Sequence, residues 1–118
     1  MHKVMVVEDE GLLADLLDDL LKIEGYHVLR PDDYRNLLPE LHAFRPDALI
    51  MDVLLDDING LDILENIRSN HELKDIYVVA ISGLDYESQS MQRGANKFLM
   101  KPFMPDELVN LLDKELRN

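Results

Sequence analysis

The sequence contains no cysteine. That absence excludes a disulfide framework and any thiolate metal site, and it fits a reducing compartment such as the cytoplasm. Basic residues are scarce: twelve Lys and Arg stand against 24 Asp and Glu, for a net charge of −12. A domain this acidic lacks the positive footprint that holds proteins to nucleic-acid phosphates, which argues against direct DNA or RNA binding. No apolar run approaches the length of a membrane span. The N-terminal run Val4 to Val7 is too short for a signal-peptide core and meets acids at once. Repeats, linkers and low-complexity segments are also missing. The histidines, His2, His27, His42 and His71, have no metal-ligand spacing and no nucleophile partner, so they are expected on the surface.

What is present is a globular composition. Apolar residues make up 47% and charged residues 31% of 118 positions, enough for one core in one domain spanning residues 1–118. The organising stretch is Ala48 to Gly60, A-L-I-M-D-V-L-L-D-D-I-N-G. An apolar run with no alternation reads as a central parallel strand covered on both faces, with Asp52 at its carboxyl end. In open α/β sheets ligands bind beyond the carboxyl ends of the strands, so a carboxylate there is placed for chemistry. A second such strand, Lys3 to Val7, runs into Glu8, Asp9 and Glu10. If the two strands are neighbours, Glu8, Asp9 and Asp52 converge and repel one another unless a cation or proton intervenes. The hard oxygens suit Mg²⁺. Glu10 reads as a solvated or capping residue instead.

The remaining chain alternates strands and helices. Gly11 to Glu24 carries Leu12, Leu13, Leu16, Leu17, Leu20 and Leu21 at helical spacing. Tyr26 to Leu29 is a short strand. A helix over Tyr34 to Phe44 has Pro39 in its middle, so it is either kinked there or begins near Pro39 after a looser turn. Gly60 to Asn70 is a helix, Ile76 to Ile81 a strand delivering Ser82 and Gly83, and Tyr86 to Gly94 a short polar helix with little apolar face. Lys97 to Met100 is the last strand, ending in Lys101-Pro102-Phe103. The final helix opens on Pro105, Asp106 and Glu107, as the helix dipole favours, and its stripe is Leu108, Leu111, Leu112 and Leu116. Strands alternating with helices over short loops predict a parallel sheet with helices on both faces.

The strand ends, read together, carry an acid pair (Glu8, Asp9), an acid (Asp52), a hydroxyl (Ser82) and a cation (Lys101). This set resembles the receiver, or phosphoacceptor, domain of two-component response regulators, over the whole chain. The resemblance implies a flavodoxin-like, doubly wound (βα)5 fold with a five-stranded parallel sheet of order 2-1-3-4-5. It implies that Asp52 is the phosphoacceptor, taking a phosphoryl group from a phosphohistidine on a sensor histidine kinase or histidine phosphotransfer protein. Asp9, Asp52 and the main-chain carbonyl of Leu54 then match Mg²⁺ ligands, with Glu8 acting through water. Lys101 matches the lysine that pairs with the acceptor, beside a cis-proline at Pro102. Ser82 matches the hydroxyl that swings to the phosphoryl group, and the backbone at Val53 and Gly83 matches its contacts. Phe98 matches an aromatic whose rotamer follows Ser82. Gly60 is expected where a turn needs positive φ.

By the same resemblance, the face of the fourth helix, fifth strand and fifth helix meets a downstream effector, an output domain of the same protein or a second copy. The chain then ends as a single-domain regulator or as the receiver portion of a longer one. It would be no enzyme beyond its own phosphoryl transfer and dephosphorylation. Three departures stand out: Asp56 replaces a common proline, giving a more flexible and acidic acceptor loop; Leu54 and Leu84 are aliphatic where such residues tune phosphoryl lifetime; and Pro39 interrupts a helix. Competing readings are weaker. A haloacid-dehalogenase phosphatase needs D-x-D, but Asp52-Val53-Leu54 has leucine at the second acid. A flavodoxin-type cofactor carrier needs a phosphate-cradling loop, where Glu8-Asp9-Glu10 would repel phosphate. A phosphorylation-independent interaction module is the remaining alternative.

Overall fold

The computed structural model describes residues 1–117. Its main sheet has five parallel strands in the order β2-β1-β3-β6-β7, formed by β1 (Lys3–Val7), β2 (His27–Leu29), β3 (Ala48–Asp52), β6 (Tyr77–Ser82) and β7 (Lys97–Met100). This is the doubly wound order expected of a flavodoxin-like fold. β3 is central and every residue in it is buried, which explains its unbroken apolar run: helices cover both faces and alternation has no use. The register pairs Val7 with Met51 and Asp52 with Ile81, so β1, β3 and β6 end side by side.

Side chains alternate between two cores. Met5, Val7, Leu49, Met51, Val78 and Ala80 pack with α2 (Leu37–Phe44) and α3 (Gly60–Ser69), through Leu41, Leu64 and Ile67 among others. Val4, Val6, Ile50, Val79 and Ile81 pack with α1 (Gly11–Ile23) and α5 (Pro105–Leu116), through Leu17, Leu21, Leu108 and Leu112. The helix α4 (Glu87–Gln92) offers little: its one buried residue is Ser90.

Three local features add to what the residue pattern gives. The leucines of α1 span roughly half its circumference at 100° per residue, which is more than the core can cover. Leu17 and Leu21 are fully buried, whereas Leu12 is 83% and Leu16 49% exposed. Of the two readings of Pro39, the helix that begins near it after a looser turn holds. A 3₁₀ turn at Tyr34–Asn36 precedes α2, and Pro39 is the third residue of that helix, where no intrahelical N–H is required. The segment after Asp52 is a two-stranded antiparallel hairpin of β4 (Leu54–Leu55) and β5 (Ile58–Asn59). Sequence pattern did not reveal it, and the acidic pair Asp56 and Asp57 forms its turn. Among the described residues, no helix is long and apolar enough to cross a membrane.

Candidate functional site

The carboxyl ends of β1, β3, β6 and β7 converge on one cluster of charged side chains. Glu8, Asp9 and Asp52 each offer a carboxylate oxygen within 4.8 Å of the others. Glu8 and Asp52 are buried, whereas Asp9 is exposed. Lys101 Nζ lies 2.7 Å from Asp52 Oδ2 and 2.7 Å from Glu8 Oε1, so one cation bridges the two buried acids. Burial works against the Lys101 ammonium, but its hydrogen bonds to Asp52 and Glu8 outweigh this and raise its pKa above the ordinary value. Burial pushes the Glu8 carboxyl up, opposed by the Lys101 and Glu10 N–H bonds and reinforced by the Asp52 charge.

Three acids with one lysine, which pairs with two of them, leave net negative charge at a partly buried site. A donor set of only hard oxygens, part buried and part open, fits a small divalent cation that keeps some waters.

Main-chain groups complete the frame. Leu54 N–H donates to Asp52 Oδ1 (3.0 Å) and Glu10 N–H to Glu8 Oε2 (3.0 Å). Ser82, 1% exposed, sits one position beyond Ile81, the register partner of Asp52. Its Oγ accepts from Leu84 N–H (3.1 Å), and its carbonyl accepts from Lys101 N–H (2.7 Å). The Lys101–Pro102 peptide is cis. Gly83 is exposed, with open space beside its Cα. The Val53 N–H, expected to face the phosphoryl group, is here bonded to Ile81 O at 2.9 Å. Phe98, half-buried, lies opposite Ala80 and packs on the α2–α3 core. Leu54 and Leu84 are both exposed near the pocket. Glu10 stands at the N-cap position of α1 and makes no side-chain cap bond.

Gly60 corrects one expectation. Positive φ among glycines occurs at Gly25 and Gly94, not at Gly60. What Gly60 needs is space: a Cβ there would meet Asp52 O at 2.8 Å and Val53 Cα at 2.9 Å.

Two further groups escaped the sequence reading. Tyr34 OH donates to the Glu8 carbonyl (2.8 Å) and Asp56 N–H donates to Asp9 Oδ2 (3.1 Å). Both contacts join segments remote in sequence, so no local pattern announces them.

A family profile described as the response regulator receiver domain matches residues 4–113. The chain belongs to that family. This receiver is 31% identical to a Mycobacterium tuberculosis protein named "Probable transcriptional regulatory protein TcrX", over 97% of this chain and 49% of that one. It thus spans about half the length of the curated relatives it matches. Among solved structures, the signal receiver domain of a response regulator from Bermanella marisrubri superposes with a TM-score of 0.87 at 26% identity, covering 98% of each chain. The chemotaxis response regulator CheY4 of Vibrio cholerae gives 0.87 at 25% identity, over 97% of this chain and 98% of that one. The receiver is therefore a part of two-component signalling machinery, with the CheY-like fold.

Proposed function

We propose that this receiver is a phosphorylation-activated switch in which Asp52 accepts a phosphoryl group from the phosphohistidine of a sensor kinase or phosphotransfer protein. The observation that carries the reading is the Lys101 bridge between Asp52 and Glu8, 2.7 Å on each side. It presents a charged nucleophile with a counter-cation already in place. An Asp52 carboxylate oxygen forms a bond to phosphorus as the phosphorus–nitrogen bond to the histidine ring breaks, and the electron pair stays on the ring nitrogen. Such transfer asks the protein mainly for position and charge neutralisation.

Lys101 supplies positive charge to the acceptor and then to the phosphoryl oxygens. Mg²⁺, held by Asp9, Asp52 and the Leu54 carbonyl with Glu8 acting through water, would supply further neutralisation of those oxygens. Leu54 N–H orients the attacking carboxylate from Oδ1. Val53 N–H reaches the phosphoryl group only after leaving Ile81 O, whereas the Gly83 backbone is unobstructed. Ser82 Oγ releases Leu84 N–H to bind the new dianion, and Phe98 follows it inward.

The new charge, about −1.5 to −2, then biases the face of α4, β7 and α5. Met91, Met100 and Met104 are exposed there, suited to an effector, an output domain of the same protein or a second copy. A population shift follows when that partner prefers one state. Nucleic acid is not bound by this domain, whose net charge is −12, and the switch works in the cytoplasm without other enzymatic activity.

The test is phosphoryl uptake from acetyl phosphate or phosphoramidate, read by intact mass. One added phosphoryl group that requires Mg²⁺ and vanishes in Asp52→Asn is expected. No uptake, with no beryllofluoride binding, would leave a constitutive interaction module as the better account.

A further inference from the structure

Asp9 is the exposed member of the acid triad. An exposed aspartate samples several rotamers in water, and fixing one costs entropy that a bound cation must offset. Here the fixing is done in advance. Oδ2 of Asp9 accepts the main-chain N–H of Asp56 at 3.1 Å, across 47 residues of sequence, and among the described residues no hydrogen bond engages its other oxygen.

That donor depends on two features of residue 56. It is not proline, so it has an N–H to give. Its φ is +48°, a left-handed conformation that aspartate tolerates and a proline ring forbids. The turn carrying it is fixed from several sides. Leu54 pairs with Asn59 and Leu55 with Ile58; Asn59 Oδ1 caps α3 by accepting from Leu61 N–H (2.9 Å); Gly60 N–H donates to Val53 O (2.7 Å); and Arg35 holds Asp57 Oδ2 at 3.0 Å. The amide at 56 is thus held in place by the hairpin rather than by Asp9.

We infer that the Asp56 main-chain N–H is a positioning group for the cation site, holding Asp9 by Oδ2 so that its remaining oxygen is presented as a ligand beside Asp52. This rests on the Mg²⁺ reading above. Groups that orient metal ligands from behind change metal affinity by roughly 10- to 100-fold. The hairpin is therefore part of the metal site although the Asp56 side chain need not touch the ion.

The test is Mg²⁺ titration calorimetry on the whole chain in two forms: unmodified, and a semisynthetic protein with an ester replacing the Leu55–Asp56 amide. The ester removes the N–H and keeps the Asp56 carboxylate. The expected result is a Kd at least about tenfold weaker for the ester than for the unmodified chain. Hydrogen exchange supplies a second readout that needs no metal and no ester. The residue 56 amide is expected to be protected in the unmodified chain and to lose that protection in Asp9→Ala. Mg²⁺ binding by the ester as tight as, or tighter than, the unmodified chain would overturn the inference, as would an unprotected amide. Failure of the unmodified chain to bind Mg²⁺ would instead sink the metal reading beneath it, and the inference with it.

Discussion

Gly60 and Val53 touch backbone to backbone: Gly60 N–H donates to Val53 O at 2.7 Å, and a Cβ on Gly60 would stand 2.9 Å from Val53 Cα. The first residue of α3 is thereby pressed against the residue after the acceptor. Gly60→Ala must displace main chain on one side or the other, since no flexible side chain can yield. A loss of about 1–3 kcal/mol is expected, as for other overpacked sites, together with slower phosphoryl uptake because Asp52 shifts with Val53. Urea unfolding and uptake kinetics on the same protein check both.

Removing the bridging cation leaves two buried carboxylates facing each other. Lys101→Ala is expected to destabilise the metal-free protein by on the order of 3 kcal/mol and to slow phosphoryl uptake at least tenfold. Added Mg²⁺ should recover part of the stability but not the rate. Unfolding midpoints with and without Mg²⁺ separate the two effects; recovery of the rate by Mg²⁺ alone would deny the lysine its role on the phosphoryl oxygens.

The Glu8 carboxyl is raised from 4.5, first by burial and, further down, by the Asp52 charge. A raised value means the native state holds its proton more readily than the unfolded chain. The corresponding stability is complete below about pH 4.5 and is lost as pH rises through the native value. Glu8→Gln has no such proton to lose, so its stability relative to the parent should improve as pH climbs from about 4 towards 7 in the absence of divalent cations. Chemical unfolding across that range reads the difference; a flat difference would remove Glu8 as the source.

Arg68 ties three segments together. It donates to Gly94 O (2.8 Å), Lys74 O (2.7 Å), Ile76 O (2.7 Å) and Asn96 Oδ1 (2.8 Å), thereby joining α3 to the loop before β6 and to the end of α4. Replacing it with alanine strands the part-buried carbonyls of Gly94 and Ile76 and should cost about 1–3 kcal/mol. Lysine, a point donor without the guanidinium fork, should recover little. Hydrogen exchange is expected to rise first through residues 84–94, where α4 contributes only Ser90 to the interior.

Along α1 the leucines divide by position. Leu17→Ala is expected to cost 2–5 kcal/mol because Leu17 is fully buried. Leu12→Ser should fall within about 0.5 kcal/mol of the parent, its side chain being 83% exposed. Parallel thermal or urea unfolding of the two variants checks the assignment.

The sheet, its flanking helices and the acids, hydroxyl and lysine at the strand ends are legible in the residue pattern alone. Those features are local. A fully buried parallel strand demands an unbroken apolar run, a helix demands its own period, and Asp52 or Lys101 can be located by where such a run stops. The strand order and the roles at the site came from the residue set as a whole, through its resemblance to receivers. Whatever depends on the distance between segments far apart in the chain came only with folding. It set Lys101 between Glu8 and Asp52, exposed Leu12 while burying Leu17, and gave Pro39 a place in a first turn by adding 3₁₀ residues before it. It made Gly60 a matter of contact rather than of φ. It also folded Leu54 to Asn59 into a hairpin whose Asp56 amide reaches Asp9. No periodicity encodes a bond across 47 residues; it exists only once β1 and β3 lie side by side.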